Sequence, residues 1–501
     1  MQPAATRHCA DCDSSQSDHD TPEATSSCDD RGEKTHHKRQ GLRPNIWHVV
    51  LHLCIAFLIG LSFRLVLLPE GLLADETKRN KTDYLIYFGV MKALGDFAGG
   101  LLADCCGRKP TSMFGWGIGL FIVPVLAHAE VGAADGADMR AVFNLADALL
   151  GAMQGVTWGL NIICLMDLLG PRGRGLASAL SNSVGYFGSA VTAPVVGRLV
   201  GHAGRRTTCI MALTVAMFLG MFLSAAGENT SRWLSPKRLA GAHGTGAGMA
   251  RSDVAERSWT AGSLFREAGG VTSTSSLRSA AFAPCSFGAM QVVCSLCGIT
   301  VNAATALVWG PALVWLKGKG HMVVEDVATI EGFFTGMKVV SMVATGALTY
   351  FLRPQPMAAL ALFALSAGLF LLLAQVHASS ESVGSLLVAT AITGVGTGAA
   401  YPLLAASVTE GLPDKTRASV YGAYRMWRDF GYAIGGVLAH VFADGFFMSA
   451  AVLSVWCLVM AVLFTGFLVL CRPGRYLEVS KESSEASACS SGSTTSDAAA
   501  E

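Results

Sequence analysis

The chain has 501 residues, of which 51% are hydrophobic and only 15% charged, with a formal net charge of +1 at pH 7. A soluble globular chain carries about 25% charged residues, so a string of soluble domains is excluded. A charge this close to neutral gives no reason to expect a nucleic-acid partner.

The polar stretch 1–45 comes first and ends on Arg31, Lys34, Lys38, Arg39 and Arg43. It is too long and too acidic for a secretory signal peptide and reads as a disordered tail. Within it, Cys9-Ala10-Asp11-Cys12 follows His8 with metal-ligand spacing. Zinc normally takes four ligands, and only Cys28 and His19 are loosely at hand, so no metal is assigned. His36-His37 belongs to the same tail.

Apolar runs then follow at 46–68, 84–103, 112–128, 141–165, 175–199, 207–226, 282–307, 327–352, 357–376, 384–407, 417–442 and 446–470. A transmembrane helix needs about 20 apolar residues. The runs are too long for barrel strands and lack their period-2 alternation, so all twelve are expected to be helices in a lipid bilayer. They fall into two bundles of six, at 46–226 and 282–471. The segment 227–281 between them is rich in Gly, Ser, Ala and Arg and reads as a linker; 472–501 is a Ser/Ala-rich tail.

Basic residues mark one side. Arg108, Lys109, Arg172, Arg174, Arg472 and Arg475, with Lys237, Arg238, Arg251, Arg257, Arg266 and Arg278 of the linker, all fall there. The positive-inside rule makes that side cytoplasmic, with both termini inside. Lys78, Arg79, Lys81, Arg205, Arg206, Lys317 and Lys319 lie on the other side. Asn80-Lys81-Thr82 is a glycosylation sequon in a loop expected to face outward, although Asn229-Thr230-Ser231 is another on the inner side. The pattern suits a plasma membrane or an organelle membrane equally.

The 14 cysteines form no disulfide framework; Cys54, Cys164, Cys209, Cys294, Cys297 and Cys457 sit inside spans, where cysteine behaves as a small hydrophobe. No GxxxxGK[ST] loop and no nucleophile–base cluster is present, so neither ATP hydrolysis, enzyme activity nor a cofactor is expected.

The second span recurs. Set over residues 333–354, Phe88 meets Phe334, Met91 meets Met337, Lys92 meets Lys338, Ala98 meets Ala344, Gly100 meets Gly346 and Leu102 meets Leu348, all 246 positions apart. At the same offset Gly185-Tyr186 meets Gly431-Tyr432, and at 243 Asp167 meets Glu410 and Arg174 meets Arg417. A duplicated six-helix unit is a transporter architecture with its site near the midplane between repeats.

The loop Gly100-Leu-Leu-Ala-Asp104-Cys-Cys-Gly107-Arg108-Lys109 resembles the signature between helices 2 and 3 of the major facilitator superfamily, with Cys105 where an arginine is usual. The resemblance covers about 46–471 apart from the linker. The segments 155–177 and 421–435 are similar to uncharacterised prokaryotic-type members related to drug–proton antiporters. The fourth helix differs from many proton-coupled members, with Gly151 where they carry arginine ahead of Gln154-Gly155. The antiporter signature of the fifth helix is present only in part, as Pro194 and Gly197.

Charges inside spans are costly and usually face the bundle interior or water. Lys92, Asp96, Gly100 and Asp104 form one helical stripe, in which Lys92 and Asp96 could pair at i, i+4. The eleventh span offers Arg425, Arg428 and Asp429. The resemblance implies that helix 2 packs on helix 11 and helix 5 on helix 8. One reading therefore makes the stripe a gate latch, Asp96 and Asp104 holding Arg425 or Arg428. Lys338 would then take Ser181, Asn182 or Ser183 as partners. The other reading puts the charges in the cavity, where four cations (Lys92, Lys338, Arg425, Arg428) outnumber two carboxylates (Asp96, Asp429) and favour an anionic solute.

In this superfamily helices 1, 4, 7 and 10 line the cavity, which makes Gln154, Trp158, Asn161, Gln291, Asn302 and Tyr401 candidates. The GxxxGxxxG spacing from Gly151 suits close helix packing. Arg64 either snorkels or pairs with Asp147, which is otherwise a candidate proton site. The expected protein is a monomeric twelve-helix carrier of a small organic solute, with a proton as a candidate coupling ion. A multidrug or cation efflux antiporter is the alternative within transport, and a transporter-like receptor or scaffold the alternative outside it.

Overall fold

The computed structural model describes residues 45–73, 83–131, 136–200, 206–227, 229–230, 288–309, 324–377, 383–410, 412, 416–442 and 446–470. Both tails, the Asn80 sequon and nearly all of the 227–281 segment lie outside the described residues. Within them, every expected span is a helix. The first bundle holds α1 (Ile46–Leu73), α2 (Asp83–Cys105), α3 (Arg108–Leu120, resuming as Ile122–Val131), α4 (Gly136–Leu169), α5 (Arg174–Val200) and α6 (Arg206–Ala226). The second holds α7 (Ala289–Leu307), α8 (Val324–Leu348), α9 (Pro354–His377), α10 (Val383–Thr409), α11 (Arg417–Val441) and α12 (Phe446–Leu470). The break in α3 has a local cause. Pro124 has no N–H to offer the Leu120 carbonyl, and Phe121 closes a tighter turn by donating to Ile118 O at 3.1 Å.

By length and composition nine of these helices can cross a membrane; α5, α8 and α11 fall short among the described residues. The shortfall follows from charge and polarity. α11 alone carries Arg417, Arg425, Arg428 and Asp429, all buried. A helix sheltered by neighbours on most sides need not be apolar throughout. By contrast α6 and α12 expose Phe218, Phe222, Val462 and Leu463, as helices facing acyl chains do.

The two bundles pack alike. α1 lies on α5 as α7 lies on α11, α2 on α4 as α8 on α10, and α3 on α6 as α9 on α12. They meet along α2 against α11 and α5 against α8. Small residues permit this closeness. A Cβ on Gly155 would stand 2.2 Å from the Lys92 carbonyl oxygen, and one on Gly398 would stand 2.3 Å from that of Lys338. Gly151 and Gly394 meet the Phe88 and Phe334 carbonyls in the same way. Each lysine thus rides on a glycine pair four residues apart.

Candidate functional site

Where the bundles meet at mid-depth, aromatic rings fill the centre. Phe63, Phe88, Trp158, Tyr186, Trp309 and Tyr432 surround a space of about 10 Å³ together with Lys92, Gln154 and Ser189, room for roughly one water. The Trp309 and Tyr432 rings are stacked, 8° apart in plane with centroids 6.1 Å apart. The hydroxyl of Tyr401 lies 3.2 Å from that of Tyr186 and 3.3 Å from that of Tyr432. A larger groove of about 690 Å³ lies elsewhere, between α7, α11 and α12. Its lining, Ile299, Ile434 and Val459 among it, is uncharged and partly exposed, so it belongs to the lipid-facing surface.

The charges beside this centre are buried and connected. Asp429 receives Lys92 Nζ at 3.1 Å, Arg428 Nε at 2.6 Å and Arg425 Nη2 at 3.4 Å. The Asn302 amide donates to it at 2.6 Å. Arg425 Nε reaches Asp96 at 2.7 Å. Lys92 therefore pairs across the bundle interface with Asp429, not along its own helix with Asp96. The i, i+4 pairing was the shorter route by sequence, but Asp96 is already held by Arg425. Lys338 differs. Its Nζ sits 3.5 Å from the hydroxyls of Thr305 and Tyr401, and 4.1 Å from the Tyr186 ring centroid, within cation–π range. The expected helix 5 partners are engaged elsewhere: Ser181 with Asn161, Asn182 with Ser178, and Ser183 with the Val339 carbonyl.

Both ends of the interface are tied shut. At one end Asp104 Oδ2 accepts from Ser419 N at 2.7 Å and Ser419 Oγ at 2.5 Å. The α11 cap residue Thr416 makes no side-chain cap bond of its own, so Asp104 satisfies an orphan N–H from another helix and places a negative charge at a helix N-terminus. Beside it Asp167 bridges Arg108 at 2.7 Å and Arg417 at 2.9 Å, joining the two bundles. Arg174 adds a bond to the Thr409 carbonyl. Gly107 turns the chain into α3 at φ 94°, open to glycine alone at little cost. At the opposite end Arg64 of α1 bonds Glu331 of α8, and Ser189 at 2.8 Å. The proposed Arg64–Asp147 pair is thus replaced by a pair across the bundles.

Of the residues singled out by sequence, the structure brings together Lys92, Asp96, Arg425, Arg428 and Asp429 as one cluster, and Lys338, Asn302, Tyr401, Trp158 and Gln154 around the aromatic centre. Gln154 spends its amide on the Ile59 carbonyl at 3.1 Å. Two candidates lie apart. Asn161 ties α4 to His52 of α1 and Ser181 of α5, and Gln291 lies in the first turn of α7. Gly100 packs on α11 at Ala418 and Gly422; Arg108 serves the Asp167 bridge, and Lys109 is partly buried beside it. Sequence reasoning missed Phe63, Trp309 and Glu331. It noted Tyr186 and Tyr432 only as repeat markers, although that matched placement was the available signal.

Residues 52–436 match the Major Facilitator Superfamily, and the chain belongs to that superfamily of membrane transporters. Compared with curated protein sequences, it has no significant match. Among solved structures it is similar to the proton:xylose symporter XylE bound to 6-bromo-6-deoxy-D-glucose. The TM-score is 0.65 at 12% identity, over 85% of this chain and 96% of that one. It is similar to the human organic anion transporter MFSD10 (TETRAN), with a TM-score of 0.61 at 16% identity over 84% and 99% of the two chains. A bacterial homologue of the iron transporter ferroportin, in an outward-facing state, gives 0.60 at 13% over 84% and 99%.

Proposed function

We propose that the chain is a secondary active transporter of a small organic anion, working by alternating access between bundles bounded at about 46–226 and 282–471. One observation carries the anionic preference. Lys338 is fully buried at the centre and faces hydroxyls and rings, with no carboxylate at ion-pairing distance among the described residues. An ammonium group buried in this way is costly without a counter-charge, and a substrate carboxylate supplies one. The two tied ends fit a gate on each side of that centre, and an organic anion transporter is among the proteins of similar structure.

The basic loops make the Asp104 end cytoplasmic, and a proton or solute gradient supplies the drive. The sequence likeness to drug–proton antiporters keeps a lipophilic-cation antiporter as the competing reading. The test is uptake of labelled organic anions by proteoliposomes, with an imposed proton gradient and with or without a protonophore. Saturable accumulation that the protonophore collapses supports coupled transport. Binding without accumulation identifies a receptor, and uptake of cations alone the antiporter.

A further inference from the structure

We infer that the substrate is a planar, apolar monoanion whose carboxylate docks between Lys338 and Ser183, the place that Asp429 holds opposite Lys92; this rests on the anionic reading proposed above. The repeat supplies the argument. Lys92 lies over the Phe88 and Tyr432 rings at 5.5 and 5.2 Å, and Lys338 over Phe334 and Tyr186, their equivalents in the other half, at 5.9 and 4.1 Å. Trp158 at 5.0 Å from Lys92 and Tyr401 at 4.5 Å from Lys338 extend the correspondence. Each lysine is boxed by a ring of its own helix, a ring from helix 4 or 10, and a tyrosine of the opposite half.

The correspondence fails at the counter-charge. Tyr432 follows Asp429 by three residues, as Tyr186 follows Ser183. The position equivalent to Asp429 is therefore a buried serine, which bonds the carbonyl next to Lys338 at 3.5 Å. In the same register Arg428 answers to Asn182, Arg425 to Ala179 and Asp96 to Met342. The α2–α11 side is a cluster that supplies its own counter-ions, and the α5–α8 side is one ammonium among neutral groups. A single carboxylate completes it; a second one would have to approach Asp429.

The walls describe the rest of the molecule. Six aromatic residues line the centre, and beside the Gln154 side-chain oxygen and the Trp158 and Trp309 indole N–H groups, which are buried without a partner, its walls are ring faces that suit an apolar body carrying few polar atoms. The Trp309 and Tyr432 rings lie near-parallel, with centroids 6.1 Å apart, and present flat faces against which a planar ring can stack.

Benzoate is the probe, with benzamide, acetate and inorganic phosphate as comparators, read as thermal stabilisation of the purified full chain and as binding of labelled benzoate. Benzoate should stabilise the protein at concentrations at least about tenfold below those of any comparator. Ser183→Asp places a carboxylate on Lys338. That variant should remain folded by size exclusion and circular dichroism and should lose the response to benzoate. Ser183→Asn, of the same size without the charge, should weaken benzoate far less than Ser183→Asp. A wild-type response in Ser183→Asp, or equal losses in the two variants, overturns the placement. Acetate or phosphate acting as well as benzoate overturns the planar body. Stabilisation by tetraphenylphosphonium and by no anion overturns the anionic reading itself.

Discussion

The hydroxyls of Tyr186 and Tyr432 lie 3.3 Å apart at the centre of the molecule, and the two residues are 246 positions apart in the chain. They are equivalent positions of the two bundles, so the contact marks where the pseudo-two-fold axis passes. Each ring carries the other half's lysine, Lys338 on Tyr186 and Lys92 on Tyr432. Parting the bundles on either side would loosen both contacts together, and so would couple the proposed site to the proposed gates.

The charge cluster predicts an order of damage. Arg425 is the cation that holds Asp96, so Arg425→Met should cost about 3–5 kcal/mol by stranding a buried carboxylate. Adding Asp96→Leu should recover most of that loss. Lys92→Met should cost less, because Asp429 keeps Arg425, Arg428 and Asn302. Thermal unfolding in detergent reads the order; a Lys92→Met loss equal to that of Arg425→Met would show the cluster to be wired otherwise.

Lys338→Met tests the site. The variant should stay folded, since no carboxylate is stranded, and should lose measurable uptake of organic anions in proteoliposomes. Unchanged affinity in that variant would reduce Lys338 to a packing element.

The tied end around Asp104 predicts a kinetic defect. Asp104→Asn removes a charge that caps α11 from a different helix, at a cost of about 1 kcal/mol from capping and dipole terms. Turnover should fall several-fold while equilibrium affinity changes little, because the site is remote. Cys105→Arg should be tolerated, as Cys105 is exposed. Normal initial rates for Asp104→Asn would remove it from the gate.

Much of this arrangement was legible in the sequence, and the limits have physical causes. Apolar length exposed the helices, and the matched lysines exposed the repeat. The spacing of Gly151 and Gly155 marks them as packing residues, and Gly394 and Gly398 play the same part under Lys338. Pairing was harder. A helix face offers i, i+4 partners and hides those across an interface, so Lys92 was set against Asp96 when Asp429 of α11 holds it. The residues after α6 read as linker, but Asn229 accepts from the Arg108 backbone N–H at 3.2 Å and Thr230 donates to Asp167 at 3.0 Å. Asn229 thereby serves the start of α3, which Gly107 has no side chain to cap.

That bond bears on orientation. An asparagine packed against the start of α3 is a poor acceptor for a glycan. Expressed in a eukaryotic host, the chain should lose its glycan shift on Asn80→Gln and be unaffected by Asn229→Gln. A shift that depends on Asn229 would invert the membrane orientation proposed above.

The end opposite Asp104 gives the last prediction. Arg64 and Glu331 join α1 to α8 across the two bundles, partly buried at 11% and 17% side-chain exposure, and Arg64 also lies over the Trp309 ring at 5.9 Å. The pair therefore joins the proposed outer gate to a ring in the wall of the proposed site. Glu331→Gln should weaken this closure and slow turnover, with about 1–3 kcal/mol lost from the closed state as Arg64 loses its charged partner. Exchanging the charges, with Arg64→Glu and Glu331→Arg together, should restore part of the rate that either single reversal abolishes, because the attraction is kept while Ser189 and Trp309 lose their intended neighbour. Cysteines placed at the two positions and joined by a bifunctional thiol reagent should hold that end closed and arrest uptake. If the double reversal is no better than the singles and the cross-link leaves uptake unchanged, the pair is not a gate, and closure at that end rests on the packing of α2 against α11.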